Sequence, residues 1–286
     1  MDVLPHHFYS PIPDMAELRA DSSWQVATSM AGVAGRDIES QEAFARECCT
    51  AESMAALATR ELYATAVREN GEGGGYGPIE AEFLYCFLRA HRPSRIVQVG
   101  CGVSTAVILG AARDAGYAPD LVCIDPFPTS FLESACQNGC VRLVRAKAQH
   151  VGLGELTSLA PNDMLFVDST HAVKPGSEVN RIVLEVLPRL PAGVWVHFHD
   201  IYFPYDYTRD VLDGDLFFAS ESTLLHAFLI HNPRYAIQVS LSMLHYAAPQ
   251  TLATLLPRYQ PQRNEHGLRA EGGKDFPSAI YLRTMT

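Results

Sequence analysis

From about residue 78 onward, short apolar runs alternate with longer stretches whose apolar positions recur every three or four residues. The short runs include Ile96-Val97-Gln98-Val99, Leu121-Val122-Cys123-Ile124, Met164-Leu165-Phe166-Val167 and Val194-Trp195-Val196-His197-Phe198. Runs this short and this apolar fit strands covered on both faces. The pattern predicts strands at 95–99, 121–124, 141–144, 163–167 and 193–198, with later ones near 235–240 and 279–283. Helices are predicted at about 79–91, 104–115, 151–159 and 177–189, and a core-facing one near 221–231. Strands alternating with helices point to an α/β fold with a doubly wound, mainly parallel sheet.

The first quarter reads differently. Residues 1 to about 35 carry several prolines and little periodicity, as an extended arm would. Residues 38–69 are rich in Ala, Glu and Arg and predict one or two helices, with Leu57, Leu62 and Tyr63 facing inward. Gly71-Glu72-Gly73-Gly74-Gly75-Tyr76-Gly77 is a joint, either a linker or a loop over a ligand. The expected organisation is an N-terminal arm and helical cap over 1–75, then the main domain over 76–286.

Charge and composition narrow the function. A net charge of −10 argues against a broad phosphate-binding surface, so nucleic acid is not an expected partner. No apolar run approaches the roughly 20 residues that cross a bilayer, and the N-terminus lacks a basic segment followed by an apolar one. The seven cysteines are scattered without a metal-ligand spacing. A reduced, cytoplasmic setting without membrane contact is the expectation, with assembly into a homo-oligomer left open.

In a doubly wound sheet, ligands bind beyond the carboxyl ends of the strands, and five successive strands end there in polar residues. Strand 95–99 leads into Gly100-Cys101-Gly102-Val103-Ser104, a glycine turn opening a helix, which suits a nucleotide-like ligand. Strand 121–124 ends in Asp125, at about the 20-residue spacing of a ribose-binding acid. Strand 141–144 is followed by Gln149 and His150, and 163–167 by Asp168, Ser169 and His171. The last strand ends in His197, His199 and Asp200. His197 and His199 share a face by strand spacing; His197 reads as core, whereas His171 and His199 read as site residues. Two chemistries fit the second group. Asp168 and Asp200, with a histidine, can bind a divalent metal such as Mg²⁺ that positions an acceptor hydroxyl. Alternatively, His171 or His199 can serve as a general base near neutral pH. Neither a Gly-x-Ser-x-Gly elbow, a His-Glu-x-x-His pair nor a Walker loop occurs.

With these residues in place, the chain resembles class I S-adenosylmethionine-dependent methyltransferases, and among them methyltransferase family 24. The phrases that carry the likeness are Phe8-Tyr9-Ser10-Pro11-Ile12-Pro13-Asp14, the glycine turn, Phe166-Val167-Asp168-Ser169-Thr170-His171, Val186-Leu187-Pro188-Arg189-Leu190 and His197-Phe198-His199-Asp200-Ile201. The resemblance implies a seven-stranded sheet with one antiparallel strand near the end and S-adenosylmethionine as cofactor. It places Gly100, Gly102 and Ser104 along the cofactor and Asp125 on its ribose. Gln149 would lie near the adenine and Asp168 below the sulfonium. Gln98 stands where that family usually has an acid near the cofactor's methionine end, and His150 also replaces an expected acid. The reaction so implied is methylation of a small-molecule acceptor, a sugar or natural-product hydroxyl, with His171, His199 and Asp200 as catalytic candidates and Tyr76, Tyr202, Tyr205 and Tyr207 as candidate pocket walls. Two other readings stay open: a nicotinamide-dependent oxidoreductase, for which the third glycine of the dinucleotide fingerprint is missing, and a noncatalytic scaffold on a degenerate methyltransferase fold.

Overall fold

The computed structural model describes residues 10, 12–71, 74–208, 211–212, 216, 218–260 and 276–286. Phe8, Tyr9 and Pro11 of the N-terminal phrase and part of the glycine joint lie outside these residues. Among the described residues the strands are β1 (Arg95–Val99), β2 (Asp120–Ile124), β3 (Arg142–Val144), β4 (Met164–Val167), β5 (Trp195–Phe198), β6 (Tyr235–Ser240) and β7 (Ile280–Thr284). They form one sheet in the order β3-β2-β1-β4-β5-β7-β6. Neighbours from β3 to β5 pair in parallel, while β7 runs antiparallel to both β5 and β6. This is the seven-stranded sheet with a late antiparallel strand that the resemblance implies.

Helices flank the sheet: α1 (Met15–Ala20), α2 (Ile38–Cys48), α3 (Ala51–Thr59), α4 (Leu62–Asn70), α5 (Pro78–His91), α6 (Val103–Asp114), α7 (Ser130–Gln137), α8 (Leu153–Thr157), α9 (Glu178–Arg181), α10 (Glu221–Leu229), α11 (Leu241–Ala247) and α12 (Pro249–Leu255). The sheet's side chains alternate between two cores. Ile96, Met164, Phe166 and Trp195 point into one, with residues of α2 to α7, α11 and α12. Val97, Val99, Leu165, Val167, Val196 and Phe198 point into the other, with residues of α8, α10 and the turns after α9. Both faces of the central strands are therefore covered, which is why their buried positions are apolar on both faces apart from Gln98 and His197.

Local differences from the expected elements have physical causes. The stretch 38–69 forms three helices: Asp37 and Thr50 cap the starts of α2 and α3, accepting from the Ser40 and Ser53 amides, and α4 starts after Glu61 without a side-chain cap. The run expected as a single helix over 177–189 starts as α9, widens to a π turn over Ile182–Val186 and ends in a 3₁₀ turn over Leu187–Arg189. Pro188 in that last turn has no N–H to continue an α-helical ladder.

The register positions the site. Val99, Ile124, Val167 and Phe198 are paired neighbours across β1, β2, β4 and β5. The residues that follow them, Gly100, Asp125, Asp168 and His199, are thereby delivered to one sheet edge. Backbone bonds hold that edge: Gly100 N–H donates to Ile124 O (3.1 Å), Asp168 N–H to Val99 O (2.9 Å) and His199 N–H to Val167 O (2.9 Å).

Candidate active site

The glycine turn sits hard against the end of β4. Gly100 has φ +78°, and a Cβ there would lie 1.6 Å from the Asp168 carbonyl oxygen, so only glycine fits. Gln98 is fully buried under the turn. Its amide nitrogen donates to Gly100 O (3.1 Å) and Ser104 Oγ (2.9 Å), and its amide oxygen accepts from Thr105 Oγ1 (3.0 Å). Gln98 thus braces the turn from below, with both ends of its amide used inside the protein. Ser104 is likewise buried, which leaves the backbone of Gly100 to Gly102 as the surface of the turn.

Asp125 faces this turn from the end of β2. One carboxylate oxygen accepts from Cys101 N–H (2.9 Å) and the other from Phe127 N–H (2.7 Å). The side chain is fixed and partly exposed, and each oxygen retains a lone pair for a hydroxyl donor. Gln149 lies in a 3₁₀ turn beside β3 and is half-buried, with its backbone carbonyl accepting from Arg181. His150 is exposed. Asn70, the last residue of α4, lies over Gly102 and is joined to Thr129 (3.1 Å).

At the ends of β4 and β5 the structure brings together Asp168, His171, His199 and Asp200. His199 Nδ1 lies 3.2 Å from Asp168 Oδ1 and 3.7 Å from Asp200 Oδ2. His171 Nε2 lies 3.5 Å from Asp168 Oδ1 and 3.6 Å from Asp200 Oδ2. Two further carboxylates hold the far sides of the rings: Glu221 Oε2 is 2.8 Å from His171 Nδ1, and Glu80 Oε2 is 2.8 Å from His199 Nε2. Ser278 Oγ sits between Glu80 Oε1 (2.8 Å) and Asp200 Oδ1 (2.9 Å). Both His171 (φ +56°) and Asp200 (φ +55°) adopt the left-handed backbone conformation that non-glycine residues rarely occupy. Strain of this kind costs on the order of 1–3 kcal/mol per residue and is concentrated at functional sites.

The electrostatics follow from that crowding. Burial alone would raise the Asp168 pKa, but the two imidazoles hold it well below the usual carboxylate range. Burial would lower His171, yet Asp168, Glu221 and Asp200 push it up to about 10. His199 is driven the same way, against burial, by Asp200, Glu80 and Asp168. The surrounding carboxylates thus drive both imidazoles toward the protonated form, against burial. Four carboxylates, from Asp168, Asp200, Glu80 and Glu221, surround the two rings. His197 lies apart from this set, stacked on Phe166 at 4.2 Å, with its pKa pushed down by burial and by His199.

Glu80, Glu221 and Ser278 belong to the cluster although nothing in the strand pattern singles them out. The available signal for Glu80 is two acids, Glu80 and Glu82, inside the otherwise apolar run Pro78–Leu88, all of it buried. Tyr76 is buried over the cluster, its ring centroid 5.0 Å from that of His199. Tyr202 is buried, while Tyr205 and Tyr207 are half-buried.

Residues 97–201 match the family model of methyltransferase family 24, described as a methyltransferase domain. The matched segment covers less than half of the chain and runs from the glycine turn's strand through Asp125, Asp168 and His171 to the residue after Asp200. The segment is thus similar to a methyltransferase domain, and in this chain it runs from β1 through β2, β3 and β4 to β5, the parallel part of the sheet. Among solved structures, a methyltransferase of Podospora anserina bound to S-adenosylhomocysteine aligns at 15% identity over 79% of this chain and 89% of that one, with a TM-score of 0.45. A plantazolicin methyltransferase in complex with a pentazolic desmethyl-plantazolicin analogue and S-adenosylhomocysteine aligns at 13% identity over 87% and 99%, with a TM-score of 0.43. A Burkholderia thailandensis 1,6-didemethyltoxoflavin-N1-methyltransferase aligns at 12% identity over 73% and 80%, with a TM-score of 0.39. The comparison with curated proteins yields no match.

Proposed function

We propose that this protein transfers a methyl group from S-adenosylmethionine to a hydroxyl of a small molecule, a sugar or natural-product acceptor. The observation that carries the reading is the juxtaposition of the two halves of the sheet edge: Gly100 touches the backbone of Asp168, whose side chain opens the cluster of His171, His199 and Asp200. A cofactor lying along Gly100 and Gly102, with its ribose on Asp125, would present its sulfonium to that cluster. Gln149 stands on the adenine side. Gln98 and Ser104 act on the cofactor through the shape of the turn.

Methyl transfer needs acceptor oxygen, methyl carbon and sulfur in line, and orientation alone can supply on the order of 7–11 kcal/mol of such a barrier. The oxygen–carbon bond forms as the sulfur–carbon bond breaks, leaving S-adenosylhomocysteine, and the hydroxyl proton must go to a base. Asp200 fits that role: Ser278 fixes one oxygen, and the other faces both imidazoles. His171 and His199 orient the acceptor oxygen from either side of Asp168. A divalent metal held at Asp168 would make the acceptor hydroxyl more acidic.

The test is calorimetry with S-adenosylmethionine, S-adenosylhomocysteine and NAD in parallel, followed by a screen of hydroxylated acceptors with and without added metal. Micromolar binding of both sulfur nucleotides, no binding of NAD, and turnover that falls at least 100-fold in Asp200→Asn are expected. Binding of NAD alone would replace this reading with the oxidoreductase. Binding of neither would replace it with the scaffold.

A further inference from the structure

We infer that Asp168 Oδ1, His171 Nε2 and His199 Nδ1 form a binding site for one divalent transition-metal ion, with Asp200 left outside the ligand set as a base. The inference rests on the proposed function only for what the open face of the ion would meet. The site itself is argued from geometry.

The first observation is the direction of the ring nitrogens. Glu80 is an acceptor with donors at both oxygens: Oε2 takes Gly77 N–H (3.0 Å) and faces His199, while Oε1 takes Ser278 N–H (2.9 Å) beside the Ser278 hydroxyl that lies between Glu80 and Asp200. His199 therefore donates through Nε2 and turns Nδ1 toward Asp168. Glu221 does the same to His171, fixing Nδ1 at 2.8 Å and turning Nε2 inward. A carboxylate on the outer nitrogen of each ring is the usual support of a metal-bound histidine, because it fixes the tautomer and makes the inner nitrogen a better ligand.

The second observation is spacing. The three inward atoms all lie within 4.8 Å of one another. Their contacts of 3.2 and 3.5 Å around Asp168 Oδ1 are long for charge-assisted hydrogen bonds, which favour roughly 2.7–2.9 Å. Metal bonds of about 2.0–2.2 Å at tetrahedral angles separate ligand atoms by roughly 3.3–3.6 Å. The third observation is charge. Asp168, Asp200, Glu80 and Glu221 face two imidazoles, and among the described residues no Lys or Arg forms an ion pair with any of them. Even with both rings protonated the cluster is short of positive charge, and buried unbalanced carboxylates call for a cation.

Two nitrogens and one oxygen suit Zn²⁺, Fe²⁺ or Mn²⁺, whereas Mg²⁺ prefers an all-oxygen shell. Three protein ligands leave room for an acceptor hydroxyl, and Asp200 Oδ2, at 3.6 and 3.7 Å from the two ligating nitrogens, stands beside that opening.

The experiment strips the full chain with chelator and adds Mn²⁺, read by calorimetry and by pulsed electron paramagnetic resonance. One site per chain with coupling to two imidazole nitrogens is expected, resisting a hundredfold excess of Mg²⁺. His171→Gln and His199→Gln should each weaken binding at least tenfold and remove one nitrogen coupling. Glu80→Gln and Glu221→Gln should weaken binding 10- to 100-fold while both couplings persist. Asp200→Asn should leave the couplings intact. Circular dichroism and S-adenosylhomocysteine binding identify variants that remain folded. Absence of a site, a site without nitrogen coupling, or loss of both couplings in folded Asp200→Asn would overturn the assignment. Metal binding without sulfur-nucleotide binding would retain this site and remove the methyltransferase reading, and the converse would do the opposite.

Discussion

Asp125 holds the turn with both carboxylate oxygens, and in the proposed cofactor site the same two would meet the ribose, so the consequences can be separated. Hydrogen bonds to a charged group contribute on the order of 1.5–3 kcal/mol. Asp125→Ala should therefore weaken S-adenosylhomocysteine binding by about 10- to 100-fold, with Asp125→Asn intermediate because it keeps one acceptor for the Cys101 or Phe127 amide. Calorimetry reads both, and an unchanged affinity in the alanine variant would remove Asp125 from the cofactor site. Gly100→Ala tests the turn itself. The added methyl meets the Asp168 carbonyl and the backbone is left-handed, so a loss of about 2–4 kcal/mol in urea unfolding is expected. A cost near zero would mean that the two backbones can part. Both residues were legible in the sequence because each directly follows an apolar strand. Glu80 and Glu221 were not, since their partners lie 119 and 50 residues away and only the packing of α5 and α10 on the sheet edge brings them in.

Among the elements, α5 carries a titration as well as the cluster. Glu82 is buried on it, accepting from the Arg258 amide at 3.1 Å, and burial raises its pKa to about 7 against 4.5 for an ordinary glutamate. The folded chain thus holds this proton more tightly than the unfolded chain does. The stabilisation is complete below pH 4.5, is lost as the pH rises toward 7, and does not return above it. Glu82→Gln keeps an acceptor for Arg258 without the charge. It should match the parent at pH 4 and exceed its stability at pH 8 by on the order of 1–3 kcal/mol in denaturant titrations. A constant difference across that range would show that Glu82 does not titrate there. The elements themselves were readable where length and periodicity agree: β1 and β6 fall at 95–99 and 235–240 as the apolar runs indicate. The short helices α7, α11 and α12 were not, because each spans only about two turns and its pattern is too brief to distinguish from a loop.

At the scale of the molecule, the open question is whether the N-terminal quarter is a cap set on a finished domain. Ala45, Cys48, Leu57 and Ala66, from α2 to α4, share one core with the buried α5 residues and with Ile96 and Phe166 of the sheet. Residues just before α2 also close the sheet. Ala34 bridges Ala236 of β6, and Gly35 lies so close that a Cβ would stand 1.9 Å from Ile237 O. An uncovered β6 would expose an edge that can pair with other chains. A chain of residues 76–286 should therefore aggregate or lose cooperative unfolding. A chain beginning at residue 28 keeps the β6 cover, the helices and the Thr28 bonds to Pro204 O (2.7 Å), and should unfold in one transition near the parent's temperature. Thermal scans with light scattering compare the two. A soluble, cooperatively unfolding 76–286 chain would make the first quarter a separable cap, whereas its collapse beside an intact 28–286 chain would make α2 to α4 part of the catalytic domain's own core.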